Sequence, residues 1–376
     1  MRSFFERHAA PLLWVGALAC AGTACRYGCT LASKHLGLTP PLPPLDAHAP
    51  VFTLDAPACW FGDLLSNTLG SLVMGLLAGL APWSTRRFPA IHTGFATGFC
   101  GCFTTFSGWN NDVAGYFVTG QIIRALTVLL IGLSMPICAL RIGLGIGTRA
   151  LESRTAAAAA APLEKSSAYD GKGDGDEEQD AELGEPADEE TSNASRLDQL
   201  NAPQLEPAPL PAHHRFELLA GALLLLACLA TFATVGGVSW TQEAWLTSQV
   251  GIGLLIAPFF AAARYILSLG NKRYPQFPLF TLLCNLGGAA IDTSSYVLTA
   301  STAAGANTVQ GVALFGALML GGAGCLSTVS TFVNEIRMLR IDHAFVYVVA
   351  TLALGQAIAV PIWYGFAVFD GDASAG

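Results

Sequence analysis

The residues best suited to binding an ion occur in one motif that the chain carries twice. The first copy runs from Gly98 to Asp112 and the second from Gly321 to Glu335, each after an apolar run. Both contain a Gly-x-x-Gly step followed by hydroxyl and aromatic residues, and they are identical at six positions. A tight crossing of small-residue helices is one explanation. The repetition favours the other, an ion or substrate site.

Each copy predicts a break in a membrane helix. Ser, Thr and Gly weaken a helix through competing side-chain hydrogen bonds and backbone entropy. Backbone groups freed inside a bilayer must be buried in protein or line a wet cavity. Paired breaks in two halves of a chain are typical of a site at the interface between repeats.

Composition is typical of a polytopic membrane protein. The chain is 52% hydrophobic and 12% charged, whereas soluble domains carry about 25% charged residues. The net charge of -8 comes largely from one acidic segment, so it says little about partners beyond disfavouring nucleic acid. The sequence shows no nucleotide loop, catalytic triad or metal-ligand cluster, which argues against an enzyme. The ten cysteines show no zinc or disulfide spacing.

Apolar runs of about 20 residues predict spanning helices. Four form a first half at 1–140, one forms a linking span at 216–239, and four form a second half at 240–376. We predict that residues 141–215 form a disordered acidic linker, because they combine high charge with few apolar residues. The nine predicted spans are 10–31, 61–83, 91–109, 116–140, 216–238, 246–269, 277–298, 309–332 and 344–369.

The positions of basic residues predict that the second half is inverted relative to the first. Ala24-Cys25-Arg26-Tyr27 resembles Ala262-Ala263-Arg264-Tyr265, and Asn67 has a counterpart in Asn285. With nine spans, the short basic loops all fall on one side, and Lys34 is the exception on the other. The fold class is therefore an all-α membrane protein with two inverted four-helix repeats, each with a broken third helix. The N-terminus, the basic loops and the acidic linker are expected to be cytoplasmic, and the C-terminus outside.

Polar and aromatic side chains within the spans are candidates for lining a pore. The amides of Asn67 and Asn285 each offer two donors to an anion or water, or they form interhelical hydrogen bonds. Phe106 and Trp109 lie three apart and share a helix face, where their electropositive ring edges suit a small anion. Core packing is the commoner use of such a pair. The hydroxyl candidates are Thr104, Thr105, Ser107, Tyr347 and Thr351.

Two arginines lie near the ends of predicted spans. Arg26 and Arg264 occupy corresponding positions in the two halves. Long basic side chains at such positions usually snorkel to the membrane interface. The alternative is that they attract anions at a vestibule or take part in gating.

The combined motif resembles the fluoride channel family (Fluc, CrcB and FEX). The resemblance rests on Gly98-x-x-Gly101, Thr104-Thr-Phe-Ser-Gly-Trp109, Asn67-x-x-Gly70-Ser71 and Arg26-Tyr27, and it covers eight of the nine spans. The arrangement is similar to that of eukaryotic fluoride exporters, with two four-span domains fused through one helix. The resemblance implies passive, selective export of fluoride, expected at the plasma membrane, with a monomer sufficient.

The resemblance also implies where ions bind. A structural sodium ion would be held by the backbone carbonyls of Gly101, Thr104, Gly324 and Ser327. The implied fluoride pore residues are Asn67, Asn285, Phe106, Phe332, Thr105, Thr328, Ser107, Ser330, Tyr347 and Thr351.

One pore departs from the family pattern. The two pore phenylalanines correspond to Phe106 and Trp109 in the first copy, and to Val329 and Phe332 in the second. In symmetric relatives each pore is taken to use the first aromatic of one half and the second of the other. We therefore predict one working pore with Phe106 and Phe332, and one degenerate pore with Val329 and Trp109.

Two other classes of function compete with the channel. An ion-coupled exporter of a small solute would need an acidic residue within the membrane. Glu335 and Asp112 lie at span ends and Asp292 lies late in span seven, so none is well placed. A membrane scaffold would use the acidic linker to recruit partners, and deletion of the linker would then abolish its function.

Overall fold

The computed structural model describes residues 2–36, 62–167, 214–236, 245–300 and 309–374. These residues form helices joined by short connections, and no strand occurs among them. Six of these helices are long and apolar enough to cross a membrane: Glu6–His35, Leu64–Arg87, Ile122–Ala156, Gln249–Arg273, Gly311–Met338 and Ile341–Val368.

The α-helices are numbered along the chain. In order, they are α1 Arg2–His35, α2 Leu64–Arg87, α3 Pro89–Thr93, α4 Gly101–Phe103, α5 Ser107–Val118, α6 Ile122–Ser167, α7 His214–Gly236, α8 Trp245–Ser268, α9 Leu279–Ala300, α10 Val309–Ala317, α11 Gly324–Leu326, α12 Ser330–Met338 and α13 Ile341–Ser374.

Both motifs interrupt a helix in the same way. A π-helical turn, Gly94–Cys100 in the first half and Leu318–Ala323 in the second, leads into the short helices α4 and α11. The next residue is extended, with φ −101° and ψ 151° at Thr104 and φ −87° and ψ 161° at Ser327. The helix restarts as α5 or α12 three residues later. The breaks thus lie where the glycine and hydroxyl pattern predicts them.

The first glycine of each motif permits a close helix crossing. A Cβ atom at Gly98 would lie 2.5 Å from the carbonyl oxygen of Val15 in α1. A Cβ atom at Gly321 would lie 1.8 Å from the carbonyl oxygen of Gly253 in α8. Any larger residue would force the backbones apart, so α1 and α8 can cross the π-turns only at glycine.

The predicted linker is wrong over its first part. Helix α6 continues without interruption through Arg141 to Ser167, where we predicted disorder. The run Ala156–Ala161 accounts for this, because alanine has the highest helix propensity of the amino acids. Residues 168–213, with the acidic tract, lie outside the described residues. The fourth span, predicted from residue 116, begins at Ile122 after a turn at Gly120, where φ is 75°.

Three predicted spans are helical but are not among the six apolar helices named above. They correspond to the broken helix before α5, to α7 and to α9. The count of nine spans therefore stays a prediction.

Candidate functional site

The two breaks cap each other across the centre of the protein. The Oγ1 atom of Thr104 accepts hydrogen bonds from the amides of Val329 (3.2 Å) and Ser330 (3.0 Å) at the start of α12. The Oγ atom of Ser327 accepts from the two corresponding amides at the start of α5, at 3.2 and 3.0 Å. Each hydroxyl therefore satisfies amides that would otherwise lack partners at the start of the other half's helix.

The other predicted hydroxyls join the same network. Thr105 lies 3.1 Å from Ser327 and 3.0 Å from Ser107, measured between side-chain oxygens. Thr328 lies 3.2 Å from the hydroxyl of Thr104. All of these side chains are buried. The structure thus brings together the hydroxyl groups of both motifs, as a site shared by the two halves requires.

The two predicted asparagines differ in their bonding. Both polar atoms of Asn67 bind Thr105, since Nδ2 donates to the carbonyl at 3.0 Å and Oδ1 accepts from the amide at 2.8 Å. Asn285 accepts from the amide of Thr328 at 2.8 Å. Its Nδ2 is fully buried and has no hydrogen-bond partner in the described part of the chain. A buried donor without a partner is costly, so this amide is available to a ligand.

Three aromatic rings form a continuous buried row. The rings of Phe106 and Phe332 are 6.4 Å apart at 71°, and those of Phe332 and Tyr347 are 5.2 Å apart at 71°. Each pair is edge to face, which exposes electropositive ring edges along the row. Thr351 lies one turn after Tyr347 in α13, and its hydroxyl donates to the Tyr347 carbonyl at 2.7 Å.

The row ends at a carboxyl group that the sequence analysis judged poorly placed. Glu335 accepts hydrogen bonds from the hydroxyls of Tyr347 (2.8 Å) and Thr281 (2.7 Å), and from the amide of Asn271 (3.3 Å). Thr281 and Asn285 lie four apart on α9 and so share a face. This four-residue spacing is the pattern in the sequence that could have predicted the polar side chains along the row.

A second group that sequence reasoning missed lies beside Phe106. Asn110 donates from Nδ2 to the carbonyl of Gly355 at 3.1 Å. Gln356 donates from Nε2 to Oδ1 of Asn110 at 2.8 Å. A Cβ atom at Gly355 would lie 3.0 Å from the Phe106 ring. These contacts hold α5 against α13 where the ring lies.

The other aromatic pair is arranged differently. Trp109 and Val329 are fully buried. The indole Nε1 of Trp109 donates to the carbonyl of Val128 at 3.1 Å, and a Cβ atom at Gly132 would lie 2.4 Å from the ring. The indole therefore packs directly on α6, where the side chains are small.

The arginines do not snorkel to an interface. Both are buried, at 3% exposure. Arg264 donates to the carbonyls of Thr97 (2.6 Å) and Gly101 (2.9 Å) in the first half, and Arg26 donates to those of Gly324 (2.6 Å) and Leu320 in the second. The freed carbonyls of each break attract the guanidinium more strongly than a distant interface does. Each arginine therefore fastens the break of the opposite half.

The four carbonyls expected to hold sodium fit an oxygen-only site in part. Gly101 and Gly324 each accept one hydrogen bond from an arginine, and Ser327 accepts a longer one of 3.4 Å. A carbonyl oxygen has two lone pairs, so a single hydrogen bond from an arginine does not by itself prevent it from binding a cation.

A cavity of about 590 Å³ opens beside the breaks. Its lining includes Arg26, Asp63, Thr105, Asp292 and Gly324. Arg26 lines this cavity with its guanidinium bound to backbone carbonyls, and its role at a vestibule stays a prediction.

A family comparison identifies the chain. The profile described as "CrcB-like protein, Camphor Resistance (CrcB)" matches residues 13–146 and 252–365, one segment in each half. The chain belongs to the CrcB family. The resemblance drawn from the two motifs is confirmed, because the family matches both copies.

Relatives of the CrcB chain carry names that refer to fluoride. Fluoride export protein 1 of Neurospora crassa is 36% identical over 126 residues, which are 32% of this chain and 23% of that protein. The fluoride-specific ion channel FluC 2 of Synechococcus sp. is 43% identical over 88 residues, 23% of this chain and 55% of that protein. FluC of Chlorobium phaeobacteroides is 30% identical over 125 residues, 33% of this chain and 82% of that protein. No solved structure matches the chain.

Proposed function

We propose that the chain is a passive, selective fluoride channel, rather than an enzyme, that exports fluoride from the cytoplasm. The observation that carries the proposal is the occurrence, in one buried core, of the row Phe106–Phe332–Tyr347 and of the unpartnered amide of Asn285. A small, strongly hydrated anion must exchange its water for other donors. The Asn285 amide, the hydroxyls of the breaks and the ring edges supply such donors. The names of the CrcB relatives support fluoride as the ion.

One working pathway and one degenerate pathway follow from the aromatic pairs. The first contains Phe106, Phe332 and the track of Tyr347 and Thr351. In the second, Trp109 packs against Gly132 and binds the Val128 carbonyl, which fills the space where an ion would pass. Val329 supplies no ring edge there. Transport is therefore assigned to the first pathway.

The proposed architecture has nine spans, with the second half inverted and α7 as the linking span. The side with the basic loops is cytoplasmic, and the plasma membrane is the expected location. Sodium would be held by the carbonyls of Gly101, Thr104, Gly324 and Ser327. When bound, it would supply a fixed positive charge at the centre. The fused halves make a monomer sufficient.

An ion-coupled exporter is the second candidate, and the partly buried carboxyl of Glu335 is the observation that favours it. Such a carboxyl within a membrane protein is commonly part of a proton relay. Three hydrogen-bond donors surround it, however, and it lies at the end of the aromatic row. We therefore assign it to the mouth of the pathway.

Fluoride efflux from liposomes that contain the purified chain tests the proposal. We expect rapid fluoride loss, read with a fluoride electrode, and no chloride loss under the same conditions. Efflux should follow the fluoride gradient alone, without a proton or sodium gradient. A requirement for either gradient would replace the channel with a coupled exporter. No fluoride efflux from folded protein would refute the channel and leave the coupled exporter of another small solute, to be tested by a solute screen under a proton or sodium gradient.

A further inference from the structure

Two cysteines at corresponding positions of the two motifs meet at the centre of the protein. Cys102 in α4 and Cys325 in α11 are both fully buried, and these two short helices pack against each other. They lie in one apolar cluster with alanines of α1 and α8.

Neighbouring groups fix the orientation of both thiols. The hydroxyl of Thr23 lies 3.0 Å from the sulfur of Cys325. The guanidinium of Arg264 donates to the sulfur of Cys102 at 3.6 Å. Because one contact comes from α1 and the other from α8, the thiols are held from both sides of the interface between the halves.

The cavity beside the breaks reaches the residue next to one of the thiols. Arg26 and Gly324 line it, and Gly324 immediately precedes Cys325. Within the lining of this cavity, the Arg26 guanidinium donates a hydrogen bond to the Gly324 carbonyl. A small neutral oxidant that enters the cavity therefore comes within one residue of a thiol.

We propose that Cys102 and Cys325 form a disulfide across the two halves when hydrogen peroxide or a similar small peroxide reaches the centre. One thiol attacks the peroxide, its O–O bond breaks, and a sulfenic acid and one water form. The second thiol then attacks the sulfenic sulfur, the S–O bond breaks, and the disulfide and a second water form. The two sulfur atoms are oxidised and the peroxide is reduced. This disulfide ties the two helix breaks together.

Peptide mapping of the full chain in liposomes tests the proposal. The protein is treated with hydrogen peroxide, free thiols are alkylated, and the digest is analysed by mass spectrometry without reduction. We expect a linked peptide pair containing Cys102 and Cys325, which a reducing agent separates. The substitution Cys102→Ala should abolish the linked pair.

Cys100→Ala is the matched control. Cys100 is equally buried in the same motif, but its counterpart in the second half is Ala323, so it has no symmetric thiol. This variant should still form the linked pair. Size-exclusion chromatography checks that each variant is folded. Fully alkylated thiols after treatment of folded protein, or linkage of either cysteine to Cys20, would overturn the proposal.

Discussion

Leucine substitutions at Asn67 and Asn285 should differ in their effects: the first should cost more stability, and the second should cost transport. Leucine has nearly the shape of asparagine but lacks its polar atoms. Asn67→Leu leaves both the amide and the carbonyl of Thr105 without a partner. Asn285→Leu leaves only the amide of Thr328 unpaired, and it removes a side-chain amide that is buried and has no partner for its nitrogen in the described residues.

The expected magnitudes follow from these contacts. A buried backbone group left unpaired costs about 1–3 kcal/mol, so Asn67→Leu should lower the free energy of unfolding by about 2–6 kcal/mol and Asn285→Leu by about 1–3 kcal/mol. A hydrogen bond to an anion contributes about 1.5–3 kcal/mol. Loss of that bond in Asn285→Leu should therefore slow fluoride efflux roughly 10- to 100-fold.

The assay pairs thermal unfolding in detergent with fluoride efflux from liposomes for each variant. Asn67→Leu should show the larger fall in melting temperature and keep efflux, measured below that temperature. Asn285→Leu should show the smaller fall and lose efflux. Equal losses of efflux in the two variants would refute the inference that the unpartnered amide marks the working pathway.

Four further substitutions test other parts of the site. Phe332→Ala should abolish fluoride efflux from liposomes and Val329→Ala should not, because only the first removes a ring from the row; equal effects would contradict a single working pathway. Tyr347→Phe keeps the ring but loses its hydrogen bond to Glu335. If that bond contributes about 1.5 kcal/mol, fluoride efflux should slow about tenfold. An unchanged rate of efflux would show that this hydroxyl is not part of the pathway. Arg264→Ala frees two buried carbonyls of the first break and should lower the free energy of unfolding by about 2–6 kcal/mol; unchanged thermal unfolding in detergent would show that the arginine does not fasten the break.

The breaks could be predicted because their cause is local. Glycine and hydroxyl residues weaken a helix wherever they occur, so the pattern at Gly98 and at Gly321 was sufficient. The helical part of α6 after Arg141 was missed because the prediction weighed the charge of the whole segment from 141 to 215. The alanine run Ala156–Ala161 decides the local structure instead.

The partners of individual side chains could not be predicted because the fold determines them. Arg264 and Gly101 are far apart in the chain, and only the packing of α8 against the first break brings the guanidinium to that carbonyl. The same holds for Cys102 and Cys325, which show no disulfide spacing in sequence. Glu335 was judged by its position in a span, while its environment depends on α9 and α13.

The mutual capping by Thr104 and Ser327 has a consequence for how the protein is made. The first half leaves the ribosome well before the second. Until the second half is made, the backbone amides at the starts of α5 and α12 cannot both have their capping hydroxyls. A first half released alone would present unpaired amides within the bilayer and would become a substrate for membrane quality-control proteases. Because one messenger RNA encodes both halves, the first half waits only briefly for the second, and the two halves are made in equal amounts.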